Sequence, residues 1–244
     1  MTLFGIDIAA SQRKVVVDRV LSEADAGIQT LVVTLNAEMV VNASADSEFA
    51  QILKSSKLVI PDGMSIVRSG RRILGASLEV YPGVEFAYDL LAEASTRNGY
   101  SVYMLGAKDG TASAAADWLR GRLPDLNIAG CHHGYFRGND DAIVEMINES
   151  RATILFAGLG SPFQEKWLEQ QCSRLKPRIL VGVGGSFEVW AGTKKRAPRW
   201  VSNAGLEWLY RAATDPGRIR RLSFIPRYLA LERKEIARER LKRN

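Results

Sequence analysis

Three features of the sequence predict an α/β fold: a Rossmann-like, mostly parallel sheet flanked by helices, with a helical C-terminal appendage. Short apolar runs alternate with amphipathic stretches of helical length, the pattern of a parallel sheet whose crossovers cover both faces. Glycine-rich turns follow several of the runs, where strands hand over to helices. The 244 residues are 46% hydrophobic with only 8 prolines, ample for a large packed core.

The first 29 residues read as one or two short strands and a first helix. Residues 29–35 (QTLVVTL) form a buried strand, and 44–54 a helix with Ser44 as candidate N-cap. A short strand at 57–61 leads through Gly63 into a helix ending near Ile73, and residues 82–98 are helical. Strands at 100–105, 126–129, 153–157 and 178–183 alternate with helices at 111–122, 140–151 and 161–174, the last opened by Pro162. Past residue 193 the alternation ends. A helix at 204–214 stops at Asp215-Pro216-Gly217, and another runs from about Pro226 to Arg243. The chain therefore divides into an α/β core, residues 1–193, and an appendage, residues 194–244.

Charge follows the same division. Residues 194–244 carry 15 Lys+Arg and 5 Asp+Glu, which leaves 18 and 22 on residues 1–193. A basic tail on a mildly acidic body suits nucleic acid, an anionic membrane surface or a phosphorylated substrate, and equally a solvated helix face. Trp200, Trp208, Tyr210, Phe224 and Tyr228 interleave with its arginines, a mixture that suits base stacking or a membrane interface. No run approaches the roughly 20 apolar residues that span a bilayer. The N-terminus lacks a basic stretch followed by an apolar one, so no signal peptide is expected. Two distant cysteines, Cys131 and Cys172, offer neither a disulfide framework nor a zinc site. The expected location is cytoplasmic.

Glycines follow the strands at Gly106, at Gly158 with Gly160, and at Gly182, Gly184 and Gly185. In open α/β sheets ligands sit at the carboxyl ends of strands, where such loops let backbone approach a phosphate. They are also ordinary tight turns, and none matches GxGxxG or GxxxxGK[ST].

Asp62 lies directly after the strand at 57–61 and before Gly63. A lone carboxylate there suits general-base activation of a hydroxyl, but read from its surroundings alone it is more readily an N-cap. Thr34 and Asn36 alternate at the preceding strand's end, so both can face one site, or simply satisfy the strand-end backbone. Gln164 and Glu165 fall in the first turn of a helix, near an end that favours anions. Glu188 follows Gly184-Gly185-Ser186-Phe187 and can accept from ribose hydroxyls. No two aspartates are separated by one residue, so the metal-binding Asp-x-Asp of many sugar-nucleotide enzymes is absent. His132 and His133, neighbours on a strand, point to opposite faces and make a poor zinc site. There is no Gly-x-Ser-x-Gly elbow.

Taken together, several segments resemble the WecG/TagA/CpsF glycosyltransferases, also called glycosyltransferase family 26. They are Thr34-Leu35-Asn36-Ala37-Glu38, Pro61-Asp62-Gly63-Met64-Ser65-Ile66-Val67 and Gly158-Leu159-Gly160-Ser161-Pro162-Phe163-Gln164-Glu165. Gly182-Val183-Gly184-Gly185-Ser186-Phe187-Glu188, Lys195-Arg196-Ala197-Pro198 and Gly205-Leu206-Glu207-Trp208-Leu209-Tyr210-Arg211 complete the set, in family order across nearly the whole chain.

The resemblance implies a metal-independent, inverting hexosyltransferase that needs no cofactor and serves cell-surface polysaccharide synthesis. It implies transfer of a sugar, of N-acetylmannosamine or glucose type, from a UDP-sugar donor to a polyprenyl-diphosphate-linked sugar acceptor. It places the catalytic base on Asp62, overturning the cap reading, and substrate-binding groups on Thr34, Asn36 and Gln164. With these go the neighbouring Gly63, Gly184, Gly185 and Glu188. It assigns residues 194–244 to membrane docking on the inner face of the cell membrane, with functional arginines at Arg211, Arg218 and Arg221. Two positions depart from the family: Val80 stands where a pocket arginine is expected, and Glu188 replaces a common aspartate. The rival readings are a nucleic-acid-binding protein and a silent UDP-sugar-binding regulator. The enzyme reading involves no nucleic acid, and a homo-oligomer stays open.

Overall fold

The computed structural model describes residues 1–195, 197–198, 201, 210 and 223–243. A two-stranded antiparallel hairpin, β1 (Thr2–Leu3) and β2 (Ile6–Asp7), precedes helix α1 (Arg13–Asp25). The main sheet then builds from β3 (Thr30–Leu35), β4 (Leu58–Pro61), β5 (Ser101–Gly106), β6 (Asn127–His132), β7 (Ile154–Gly158) and β8 (Ile179–Gly182). Every pair in it is parallel, in the order β4-β3-β8-β7-β5-β6.

Both faces of this sheet are covered, and the alternation along each strand shows how. Leu31, Val33 and Leu35 of β3 join Val59, Leu105, Leu155 and Leu180 in one buried cluster. Val32, Ile60, Met104, Phe156 and Val181 face the other way, into a second. Successive strand side chains point to opposite faces, so apolar residues at both parities demand helices on both sides. The first face is covered by α2 (Ala37–Ala45), α3 (Ser47–Ser55), α4 (Met64–Leu74), α7 (Asp140–Glu149) and α8 (Phe163–Gln171). The second is covered by α1, α5 (Gly83–Ser95), α6 (Thr111–Arg120) and α9 (Ser186–Trp190). The last helix, α10 (Phe224–Arg243), lies against α2 and α4.

Two sequence expectations change. Where one helix is expected at 44–54, there are two, Ala37–Ala45 and Ser47–Ser55, and the second is capped by Asp46, whose carboxylate accepts from Phe49 N at 3.0 Å. Ser44 is not a cap: its hydroxyl donates back to Val41 O at 2.6 Å within α2. The helix expected at 204–214 lies outside the described residues. No helix among the described residues is long and apolar enough to cross a membrane.

Candidate active site

The carboxyl ends of β4, β3, β8 and β7 lie side by side, and strand spacing makes that edge roughly 14 Å wide. At its β3–β4 end the strand termini pair Leu35 with Pro61, and Asp62 N donates to Leu35 O at 2.8 Å. That bond fixes the backbone of Asp62 as the chain leaves the sheet. The N-cap position of α4 belongs to Gly63, whose φ of +101° suits glycine, so the capping alternative for Asp62 fails. Asn36 does cap a helix, its Oδ1 accepting from Met39 N at 3.1 Å. One acceptor of Asn36 is thereby used, and its amide donors are not tied to that cap.

Thr34 is 8% exposed and is pressed by the first turn of α5. A Cβ on Gly83 would lie 3.0 Å from Thr34 Oγ1 and 3.2 Å from Thr34 Cβ, so any larger residue there would press on Thr34. The segment entering α5 is pinned to the same edge by Tyr81 N, which donates to Pro61 O at 2.9 Å. Here the departure at Val80 acquires a setting. Arg13, from the start of α1, donates to Val80 O at 2.8 Å, pairs with Glu85 at 2.6 Å and Glu79 at 3.2 Å, and lies over the Tyr81 ring. A guanidinium thus reaches this segment from a helix 67 residues away in sequence, a contact with no local signal.

At the β8–β7 end, Gln164 joins two loops. Its Oε1 accepts from Gly160 N at 3.2 Å and from Gly184 N at 3.1 Å. Its Nε2 donates to Glu165 Oε1 at 2.7 Å. Both side chains are buried. Burial pushes the Glu165 carboxyl above the ordinary glutamate range, and hydrogen bonds with Gln164 and Ser161 only partly offset that. Gly184 and Gly185 lead into α9, where Glu188 Oε1 pairs with Lys194 at 2.9 Å. Glu188 Oε2 is buried without a hydrogen-bond partner among the described residues and lies 3.6 Å from where a Cβ on Gly185 would be.

The sheet order therefore brings Thr34, Asn36, Asp62, Gly63, Gln164, Gly184, Gly185 and Glu188 to one edge of four adjacent strands. Arg211, Arg218 and Arg221 lie outside the described residues. His132 ends β6 at the far side and His133 lies beyond it. The strand stops between them, so the two side chains do not point to opposite faces as strand alternation predicts, and their rings lie 4.3 Å apart. Among the described residues no three His, Cys, Asp or Glu side chains are grouped to hold a metal ion.

An open parallel sheet with an acid, a buried amide and glycine loops along its carboxyl edge defines an α/β protein built to take a ligand there. The comparisons make the class specific. Residues 1–243 match the model of the Glycosyl transferase WecG/TagA/CpsF family, and the chain belongs to that family. It is 33% identical over 198 residues to the N-acetylglucosaminyldiphosphoundecaprenol N-acetyl-beta-D-mannosaminyltransferase of Staphylococcus aureus strain MRSA252, covering 81% of this chain and 77% of the relative. The enzymes of the same name from strains NCTC 8325 / PS 47 and COL match with the same identity and coverage.

Proposed function

We propose that the protein is an inverting glycosyltransferase that moves a hexosyl group from a UDP-sugar to a sugar carried on a polyprenyl diphosphate, at the surface of an anionic membrane. The single observation that carries this reading is the placement of Asp62, locked by its backbone to the end of β3 on the edge shared with Thr34, Asn36 and Gln164. The relatives' name supplies the acceptor class, a diphosphoundecaprenol-linked sugar.

In this scheme Asp62 takes the proton of the acceptor hydroxyl as that oxygen attacks the anomeric carbon in line. The new C–O bond forms as the bond to the β-phosphate breaks, and UDP leaves with the electron pair. Gly160, Gly184 and Gly185 let backbone approach the donor, and the Glu188 carboxylate after the glycine turn is an acceptor for a ribose hydroxyl. Arg211, Arg218 and Arg221 neutralise the leaving diphosphate, the part a metal held by Asp-x-Asp plays in other sugar-nucleotide enzymes. Residues 194–244 act as the membrane-docking unit on residues 1–193.

Asp62→Asn tests the assignment. UDP binding and thermal stability should stay near those of the parent, while turnover with a lipid-diphosphate sugar acceptor falls by roughly 10²–10⁴-fold. Near-normal turnover would remove Asp62 from the base role. EDTA should leave turnover unchanged, and a strict need for added Mg²⁺ or Mn²⁺ would contradict the arginine scheme.

A further inference from the structure

We propose that Glu165 is a positioning residue of this site, which by accepting the Gln164 amide keeps Gln164 fastened across the β7 and β8 loops and so sets the shape of the donor cradle. The inference rests on the reading that this edge binds a UDP-sugar. It concerns a residue with no direct substrate contact assigned to it.

The polarity of the Gln164 amide is dictated by its neighbours. Two backbone N–H groups, those of Gly160 and Gly184, converge on one oxygen at 3.2 and 3.1 Å. Rotating the amide by half a turn would set its NH₂ against both donors and lose both bonds. In the observed orientation the NH₂ needs an acceptor, because a buried donor left unmade is costly. Glu165 Oε1, 2.7 Å away, is that acceptor.

The pair also has no room to move. A Cβ on Gly182 would lie 2.5 Å from Gln164 Nε2 and 3.0 Å from Glu165 Oε1, so the end of β8 is cut back to admit both side chains. Glu165 itself is 1% exposed, a position that an apolar residue would ordinarily fill. The carboxyl's task in this arrangement is to accept. A neutral side chain of the same shape can do that, whereas an apolar one cannot.

Those requirements set the experiment. Glu165→Gln keeps an acceptor oxygen in place, Glu165→Leu removes it, and Gly182→Ala pushes on the amide from the opposite side. Each variant is read by hydrogen exchange at the Gly160 and Gly184 amides, by UDP titration calorimetry, and by KM and kcat for the donor. Glu165→Leu and Gly182→Ala should speed exchange at those two amides and weaken UDP binding by about tenfold, the scale of one buried hydrogen bond. Glu165→Gln should stay within about twofold of the parent in amide exchange, in UDP affinity and in donor KM, as expected when the accepted bond is kept. The inference is overturned if folded Glu165→Gln loses the two protected amides, or if folded Glu165→Leu keeps both amides protected and UDP binding unchanged. Should Glu165→Leu fail to fold, the Glu165→Gln and Gly182→Ala results still decide. Hydrogen exchange separates this from the wider reading. Failure of the parent protein to bind UDP would sink the donor assignment, whereas unchanged exchange at Gly160 and Gly184 would sink the role of Glu165.

Discussion

Asp62 and Glu165 are both acids at the carboxyl edge, and their surroundings separate them. Asp62 is half-buried where β4 leaves the sheet, whereas Glu165 is sealed beneath the β7 and β8 loops. The sequence pattern makes the first legible, since an acid directly after an apolar run sits at a strand end. It places the second only in the first turn of a helix and not in its hydrogen-bonded setting, because the bonds that define Glu165 run through Gln164 to Gly184, twenty residues on. The raised pKa of Glu165 has a consequence for stability. The folded protein holds this proton above the ordinary value of 4.5, where the unfolded chain has released it, so stability is full below that value. It falls as pH rises from there to the native pKa. Denaturant melts across pH 4–8 should therefore show Glu165→Gln gaining on the parent as pH rises through that window, and parallel curves would show that the carboxyl ionises in the fold as freely as outside it.

Elements were legible in proportion to their length and regularity. The main-sheet strands fall where unbroken apolar runs put them, within a residue or two except β6, which runs on to His132. The short α9 was invisible, having too few residues to show a period. The split between α2 and α3 is hidden in the sequence because Ser44 offers a helix start two residues before the true cap, Asp46. The packing of α10 was equally hidden, for it depends on a cluster far apart in sequence. Ser69 of α4 donates to Glu232 at 2.6 Å and lies 2.8 Å from Tyr228 Oη, while Arg72 pairs with Glu232 at 3.2 Å. Ser69 is fully buried, so removing its hydroxyl leaves a buried carboxylate short of a donor. Ser69→Ala should cost about 1–3 kcal/mol, concentrated in α10. Hydrogen exchange should rise along α10 while β5 stays protected. A uniform rise through the molecule would mean that the cluster stabilises the whole fold and does not specifically anchor this helix.

At the scale of the molecule, the sheet and the basic tail make separable demands. The tail's 15 Lys+Arg against 5 Asp+Glu were readable from composition, but where its last helix docks was not. The structure shows α10 against α2 and α4, outside the two helical layers that seal the sheet, with a cleft of about 570 Å³ between it and residues such as Phe4, Val40 and Lys54. A chain ending at residue 193 therefore keeps both faces of the sheet covered and should fold. It should also melt at a lower temperature, because α2 and α4 lose the cover of Tyr228 and Leu231, and Ser69 loses its partners. Membrane binding should go with the tail, since each basic residue near an anionic surface contributes about 1 kcal/mol. Vesicles of anionic and of neutral lipid, at low and high salt, provide the measurement: the full chain should bind the anionic ones in a salt-sensitive manner, and the truncated chain neither. If the truncated chain still sediments with anionic vesicles and turns over acceptor, docking and diphosphate neutralisation both reside in the α/β core, and the charge of residues 194–244 is a solvated face.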